Sequence, residues 1–320
     1  VSNPRDGLTK TIVIAVGGNS IIPVGKQGTI VEQFERTRAT MVHVADLIRE
    51  GHLVALTHGN GPVVGNIFIR SEMAKEVIPP MPLDVCGADS EGGLGYMLQQ
   101  TLQNQLRRMK IEKDVITIIT QVVVDPDDPA FGSPTKPIGP FFTEEEARWM
   151  AQAKGWSIVE DSGRGYRRVV PSPRPLEIVE FRAIRRAIDS GAIVIAVGGG
   201  GIPVMRGSDG NLHGVEAVID KDRASSVLAR QLGADMLFLL TQVEKIALDY
   251  GKPAQKDLEV LTVSEAREYL EAGHFPPGSM GPKVESAIDF LEAGGEQVVI
   301  TKPELLSEAL RGNRCTRIVP

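Results

Sequence analysis

Two lysines in this chain stand where helix electrostatics disfavours them. Lys221 follows Ala217-Val218-Ile219-Asp220 and precedes Asp222, and Lys283 closes the string Gly278-Ser279-Met280-Gly281-Pro282-Lys283. Both strings head helix-like segments. A cation in a first helical turn opposes the helix dipole, so it calls for another partner, and an anionic ligand supplies one. Asp220 suits an N-cap and Asp222 a first-turn acid, roles that need no ligand. One such lysine reads as solvated, but the same oddity twice reads as phosphate recognition.

Three glycine loops accompany the lysines: Gly17-Gly18-Asn19-Ser20, Thr57-His58-Gly59-Asn60-Gly61-Pro62 and Gly198-Gly199-Gly200-Gly201. The first and third each follow the same string, Ile-Val-Ile-Ala-Val, at 12–16 and 193–197. An apolar, β-branched run that stops at glycines reads as a buried parallel strand whose carboxyl end brings backbone close to a ligand. Pro62 suits the first turn of a helix, where its missing N–H costs nothing. Each loop alone is a weak signal, because tight turns need glycine anyway; three together point to a multi-point anion site. His58 reads as a hydrogen-bonded structural residue rather than a general base. Neither a Gly-x-x-x-x-Gly-Lys-Ser/Thr loop nor a Gly-x-Gly-x-x-Gly turn is present, so P-loop and dinucleotide-binding folds are unsupported. No His, Cys and carboxylate spacing marks a metal centre.

The elements that must position these residues alternate. Strands are expected at 11–16, 53–57, 115–124, 192–197, 236–240 and 297–301. Helices are expected at 29–50, 99–109, 177–190, 222–232, 264–272 and 283–293. This rhythm predicts an α/β fold with a mostly parallel sheet and helices on both faces. Residues 125–175, rich in Pro and Gly, break it. They are too long for a plain connection and read as an excursion or small subdomain that acts as a lid, although on composition alone a solvated surface insertion is the better reading.

The 320 residues carry a net charge of −6, with 42% hydrophobic and 24% charged residues, the profile of an ordinary globular protein. That charge argues against general binding to nucleic acid or an anionic membrane. Cys86 and Cys315 are too few for a disulfide framework and are read as reduced, in a cytoplasmic setting. No apolar run is long enough to span a bilayer, and the first residues lack the apolar stretch of a signal peptide.

Taken together, these strings resemble the amino-acid kinase family and, within it, the carbamate kinases. The likeness runs through Val16-Gly17-Gly18-Asn19, His58-Gly59-Asn60-Gly61-Pro62 and Met81-Pro82-Leu83-Asp84-Val85-Cys86. It continues through Pro134-Thr135-Lys136-Pro137-Ile138-Gly139, Val169-Val170-Pro171-Ser172-Pro173 and the two lysine strings. The resemblance implies a three-layer α/β/α sandwich with two lobes and a small protruding subdomain at about 125–175. Residues 1–220 would bind carbamate or carbamoyl phosphate, and 221–320 the nucleotide. It also implies a homodimer that transfers a phosphoryl group reversibly between ATP and carbamate, making ATP from carbamoyl phosphate in arginine or purine catabolism.

On the same resemblance Lys136, Lys221, Asp222 and Lys283 are the catalytic set. Lys221 and Lys283 would meet the phosphates from opposite sides, Asp222 would hold both lysines, and Lys136 would reach in from the lid. Gly17, Gly18, Asn19, Gly59, Asn60, Gly61, Gly199 and Gly200 would surround the reacting anion. Thr241, Gln242, Val243, Tyr250, Met280 and Gly281 would line the nucleotide. Mg²⁺ would enter on phosphate oxygens, with no carboxylate cage. Ser20, Val63, Gln242 and Asp249 depart from the family's usual residues. The alternatives are a sibling kinase for another small acid and a non-catalytic nucleotide or metabolite sensor of the same fold.

Overall fold

The computed structural model describes residues 9–22, 28–161, 163, 165–276 and 278–320, with the side chains of Asn19 and Ser20 outside the described set. Eight strands make the central sheet, in the order Val260–Thr262, Thr316–Val319, Gln297–Thr301, Met236–Leu240, Thr11–Val16, Leu53–His58, Ile193–Ile195, Val115–Thr117. Every neighbouring pair is parallel except Gln297–Thr301 with Thr316–Val319. Successive residues of a strand point to opposite faces, and each face has its own core. Along Thr11–Val16, Ile12, Ile14 and Val16 pack with Met41, Val44, Leu98 and Leu102. Val13 and Ala15 pack with Ile184, Leu228 and Phe290. Helices therefore cover both faces, and the layers are those of an α/β/α sandwich. No described helix is long and apolar enough to cross a membrane.

The three glycine loops leave three adjacent strands, Thr11–Val16, Leu53–His58 and Ile193–Ile195, at the same carboxyl edge. That edge is where parallel sheets gather ligands. The helix Lys221–Leu232 begins beside it, tied to the sheet where the Thr57 and Ser225 hydroxyls meet at 2.6 Å.

Three expected elements differ in the structure. The strand expected over 115–124 is two strands, Val115–Thr117 in the central sheet and Gln121–Val124 in a second, four-stranded sheet. Between them the Thr120 hydroxyl donates to the Ile118 carbonyl at 2.7 Å, a local turn that β-branched composition does not reveal. The helix expected over 177–190 is a strand, Pro175–Ile178, followed by a helix, Phe181–Asp189; at the junction the Glu180 carboxylate accepts from both the backbone and the side-chain amide of Gln121. The helix expected over 99–109 is the end of a 26-residue helix, Leu83–Arg108, whose first half is obscured in the sequence by Gly87, Gly92, Gly93 and Gly95. Gly95 is there for space, since a Cβ on it would lie 2.4 Å from the Thr117 side chain.

Within residues 125–175 the chain forms a three-stranded antiparallel sheet of Lys136–Phe142, Tyr166–Val170 and Ile158–Glu160, with the helix Glu144–Lys154 beside it. This sheet docks on the helix Gly61–Ala74, where Val64 and Phe68 pack with Ile138 and Val170, and the approach is closest at Gly65. A Cβ on Gly65 would fall 2.0 Å from the Gly139 Cα, so two backbones meet where no side chain fits, and Gly139 itself has φ +73°. Nearby, the Arg168 guanidinium lies 4.1 Å from the Phe68 ring centre and 4.8 Å from that of Trp156.

Candidate active site

The glycine loops meet each other and the lysine string. A Cβ on Gly59 would lie 3.0 Å from the Gly18 nitrogen and 3.1 Å from Cδ of Lys221, so the Lys221 stem runs across the second loop. Gly61 faces the carbonyl of Pro137, one residue after Lys136. In the third loop, Gly199, Gly200 and Gly201 all have positive φ, and a Cβ on Gly199 would strike the Asn60 amide at 2.2 Å. Gly17, Gly18, Gly59, Asn60, Gly61, Gly199 and Gly200 thus gather at one sheet edge. The side chain of Asn19, expected among them, lies outside the described residues.

Five charged side chains cluster at the same place. The Asp222 carboxylate accepts from Lys221 Nζ at 2.5 Å through one oxygen and from Lys283 Nζ at 2.8 Å through the other. The Asp220 carboxylate accepts from Lys136 Nζ at 2.5 Å and also caps its helix by accepting from the backbone N–H groups of Asp222 and Arg223. Only 4% of the Asp222 side chain is exposed, against 25% of Lys136, so the cluster is deeply held with Lys136 at its open rim. Three ammonium groups answer two carboxylates, which leaves one positive charge for a ligand to balance.

The protonation directions follow. Burial opposes ionisation of Asp220 and Asp222, but the neighbouring ammonium groups outweigh it and hold both below the usual carboxylate range. Burial lowers Lys221, with Lys283 adding to the effect and Asp222 opposing it. Lys283 is raised: burial works against its charge, but Asp222 beside it prevails. His58 is fully buried, and burial depresses it to about 4, so it is neutral near pH 7. Its Nδ1 sits 3.4 Å from the Gly59 carbonyl, and its Nε2, also buried, has no hydrogen-bond partner among the described residues.

Of the nucleotide residues expected from the resemblance, Thr241, Gln242, Val243 and Tyr250 lie on other elements. Thr241, Gln242 and Val243 follow the strand Met236–Leu240, and the Thr241 N–H donates to the Thr301 carbonyl. Tyr250 is 65% exposed, beside Asp249 with φ +49°. Met280 and Gly281 open the helix that carries Lys283. The hydrogen bonds and ion pairs of the described residues join none of Thr241, Gln242, Val243 or Tyr250 to the lysine cluster. Among the described residues, no group of three or more His, Cys, Asp or Glu is arranged to hold a metal ion.

Sequence reading missed two contributions. Asp220 is more than a cap, because it also holds Lys136 across 84 residues of chain. Glu91, only 1% exposed, accepts from the Gly198 N–H at 2.8 Å and the Thr120 N–H at 3.1 Å. Burial pushes its carboxyl up to about 8, against the pull of those two donors. In the sequence Glu91 is a lone glutamate before Gly92 and Gly93, with no local sign of burial or of these partners.

The amino acid kinase family model matches residues 10–302. The chain belongs to the amino acid kinase family. Among relatives in that family, the carbamate kinase of Pyrococcus furiosus is 49% identical over 313 residues, which cover 97% of this chain and 99% of the relative. The structure of the carbamate kinase from Giardia lamblia bound to citric acid superposes with a TM-score of 0.92 at 43% identity, covering 97% of this chain and 98% of that one. The same enzyme bound to AMP-PNP gives 0.88 at 44% identity, with the same coverage. The family fold and the full-length match agree with the sandwich, the parallel sheet and the kinase chemistry expected from the sequence.

Proposed function

We propose that this protein is a carbamate kinase that transfers a phosphoryl group reversibly between ATP and carbamate. The observation that carries the reading is the buried lysine cluster with one surplus positive charge, set at the edge where three glycine loops converge. In the direction that makes ATP, an oxygen of the terminal phosphate of ADP attacks the phosphorus of carbamoyl phosphate. The P–O bond to the carbamoyl group breaks, and carbamate leaves with the electron pair. The attacking oxygen is already ionised near neutral pH and carbamate departs as a stable anion, so no side chain needs to move a proton. The protein's work is positioning and charge stabilisation.

Lys221 and Lys283 draw the phosphates together from two helix starts, with Asp222 fixing their spacing. Lys136 comes from the protruding subdomain and leaves Asp220 for the transferring group. The glycine-loop amides, with Asn60, surround the small acceptor. Thr241, Gln242, Val243, Tyr250, Met280 and Gly281 are assigned to the nucleotide. Residues 1–220 form the acceptor lobe and 221–320 the nucleotide lobe. Since Asp220 and Asp222 are already engaged by lysines, a divalent cation, taken here as Mg²⁺, arrives on the nucleotide's phosphates as part of that substrate.

A homodimer and a cytoplasmic location belong to the same reading. Supporting the dimer, the exposed Tyr96 and Ile119 flank Gly92 beside the edge strand Val115–Thr117; light scattering should give twice the 34.5 kDa chain mass. Supporting the location, Cys86 and Cys315 are both free and buried. One observation favours a larger acceptor as a second reading. A cavity of about 480 Å³ is lined by Gln33, Val63, Asn66, Arg70 and Ser90, and on the resemblance Val63 replaces the family's usual residue. ATP formation from ADP and carbamoyl phosphate, run beside a panel of acceptor acids in the forward direction, tests both. Activity with another acid and none with carbamoyl phosphate would select the second.

A further inference from the structure

The third glycine loop begins with a strained residue. Val197 has φ 55° and ψ 36°, the left-handed region that a β-branched side chain avoids, and it is completely buried. Strain of this kind persists only where surrounding groups over-determine it. The structure shows which groups do so. The Val197 N–H donates to the Thr120 hydroxyl at 2.9 Å, and the next N–H, of Gly198, donates to Glu91 Oε1 at 2.8 Å. Glu91 Oε2 accepts the Thr120 N–H at 3.1 Å, so one carboxyl fixes both ends of the bracket. The chain then turns through Gly199, whose Cα is pressed against the Asn60 amide. That amide donates to the hydroxyl of Ser90, the residue before Glu91. One step of the helix Leu83–Arg108 therefore holds the second and the third glycine loops at once.

We infer that Glu91 is a positioning residue for the proposed reaction: by fixing the Val197–Gly198 kink it sets the place of the Gly199 amide beside Asn60, and so the fit of the acceptor. The inference rests on the carbamate kinase reading for its kinetic consequence but not for its geometry. A carboxyl offers acceptor lone pairs on both oxygens, whereas a carboxamide offers them on one. In Glu91→Gln one of the two facing N–H groups must meet an NH₂, a buried polar mismatch. The strained Val197 then relaxes and the loop shifts. The nucleotide side, on other helices, is untouched.

The test measures steady-state ATP formation from ADP and carbamoyl phosphate, with hydrogen exchange of a peptide spanning 196–202. Glu91→Gln should lower kcat/KM for carbamoyl phosphate by about 10- to 100-fold. KM for ADP should stay within twofold, and exchange in the peptide should quicken. Thr120→Val, which leaves the carboxyl in place but removes the acceptor for Val197, should act in the same direction, and Thr120→Ser should restore wild-type behaviour. Because glycine takes the left-handed conformation without penalty, Glu91→Gln combined with Val197→Gly should recover several-fold over Glu91→Gln alone. If Glu91→Gln proves unstable, the Thr120 pair and Val197→Gly decide the question. Unchanged exchange and kinetics in Glu91→Gln or Thr120→Val, or equal rises in both KM values, would overturn the inference. If wild-type protein makes no ATP from carbamoyl phosphate, the functional reading fails, and the exchange rates still decide whether Glu91 holds the loop.

Discussion

Replacing Asp222 with asparagine keeps the shape of the cluster and removes the charge that holds it together. In the wild type one carboxylate separates two ammonium groups, 2.5 Å from Lys221 and 2.8 Å from Lys283. Nitrogens on the two oxygens of one carboxylate sit roughly 5 Å apart, and at an effective dielectric of about 20 their mutual repulsion is about 3 kcal/mol. Taking the anion away from a buried pair costs about 3–5 kcal/mol, because the partner charge stays behind uncompensated. The substituted carboxamide can accept from only one lysine, so the other must swing away, lose its proton or recruit an anion. If the same energy separates the variant from wild type in the transition state, kcat/KM for carbamoyl phosphate falls by about two to three and a half orders of magnitude. The assay is coupled ATP formation, with thermal unfolding measured alongside to separate lost fold from lost chemistry. A folded Asp222→Asn protein with kcat/KM within threefold of wild type would refute the reasoning, since neither lysine would then depend on the carboxylate.

Other outcomes follow from the same geometry. Lys136→Met should lower kcat at least 100-fold while shifting KM for ADP little, because the lysine comes from the three-stranded sheet within residues 125–175 rather than from the elements proposed to hold the nucleotide; steady-state kinetics in both substrates checks it. Gly65→Ala places a methyl 2.0 Å from the Gly139 Cα, so the subdomain must move and carry Lys136 with it; kcat should fall about tenfold or more, and a crystal structure or exchange over 136–142 should show the displacement. His58 gives an acid limb. Its pKa is depressed on folding from 6.5 to about 4, so the unfolded chain binds the extra proton between those values. Stability should be full above pH 6.5 and fall as pH drops toward 4, by about 3 kcal/mol from this residue, and denaturant titrations of His58→Gln should show a flatter acid limb.

The parallel strands and the loops at their ends were legible because apolar, β-branched runs stopping at glycine have few other uses. Lys221 and Lys283 stood out for the same kind of reason: each sits on the wrong end of a helix dipole. What stayed hidden depended on distant pairing. Asp220 looked complete as an N-cap, and nothing local tells that Lys136 will reach it. The first half of the helix Leu83–Arg108 was lost among its glycines, of which Gly95 is required by its contact with Thr117 while Gly87 and Gly93 have room for a side chain, and with it went Ser90 and Glu91. The strand break at Ile118–Thr120 turns on a single hydroxyl, and its neighbour in space, the left-handed Val197, looks in sequence like the last residue of an ordinary strand.

The most direct test of carbamoyl-phosphate chemistry at the lysine cluster is the initial rate of ATP formation from ADP and carbamoyl phosphate, for wild type and for Lys221→Ala and Lys283→Ala. Rapid ATP formation by wild type is expected, with losses of orders of magnitude in both variants and folding preserved. No ATP from carbamoyl phosphate with wild type, or near-wild-type rates in either folded variant, would contradict it.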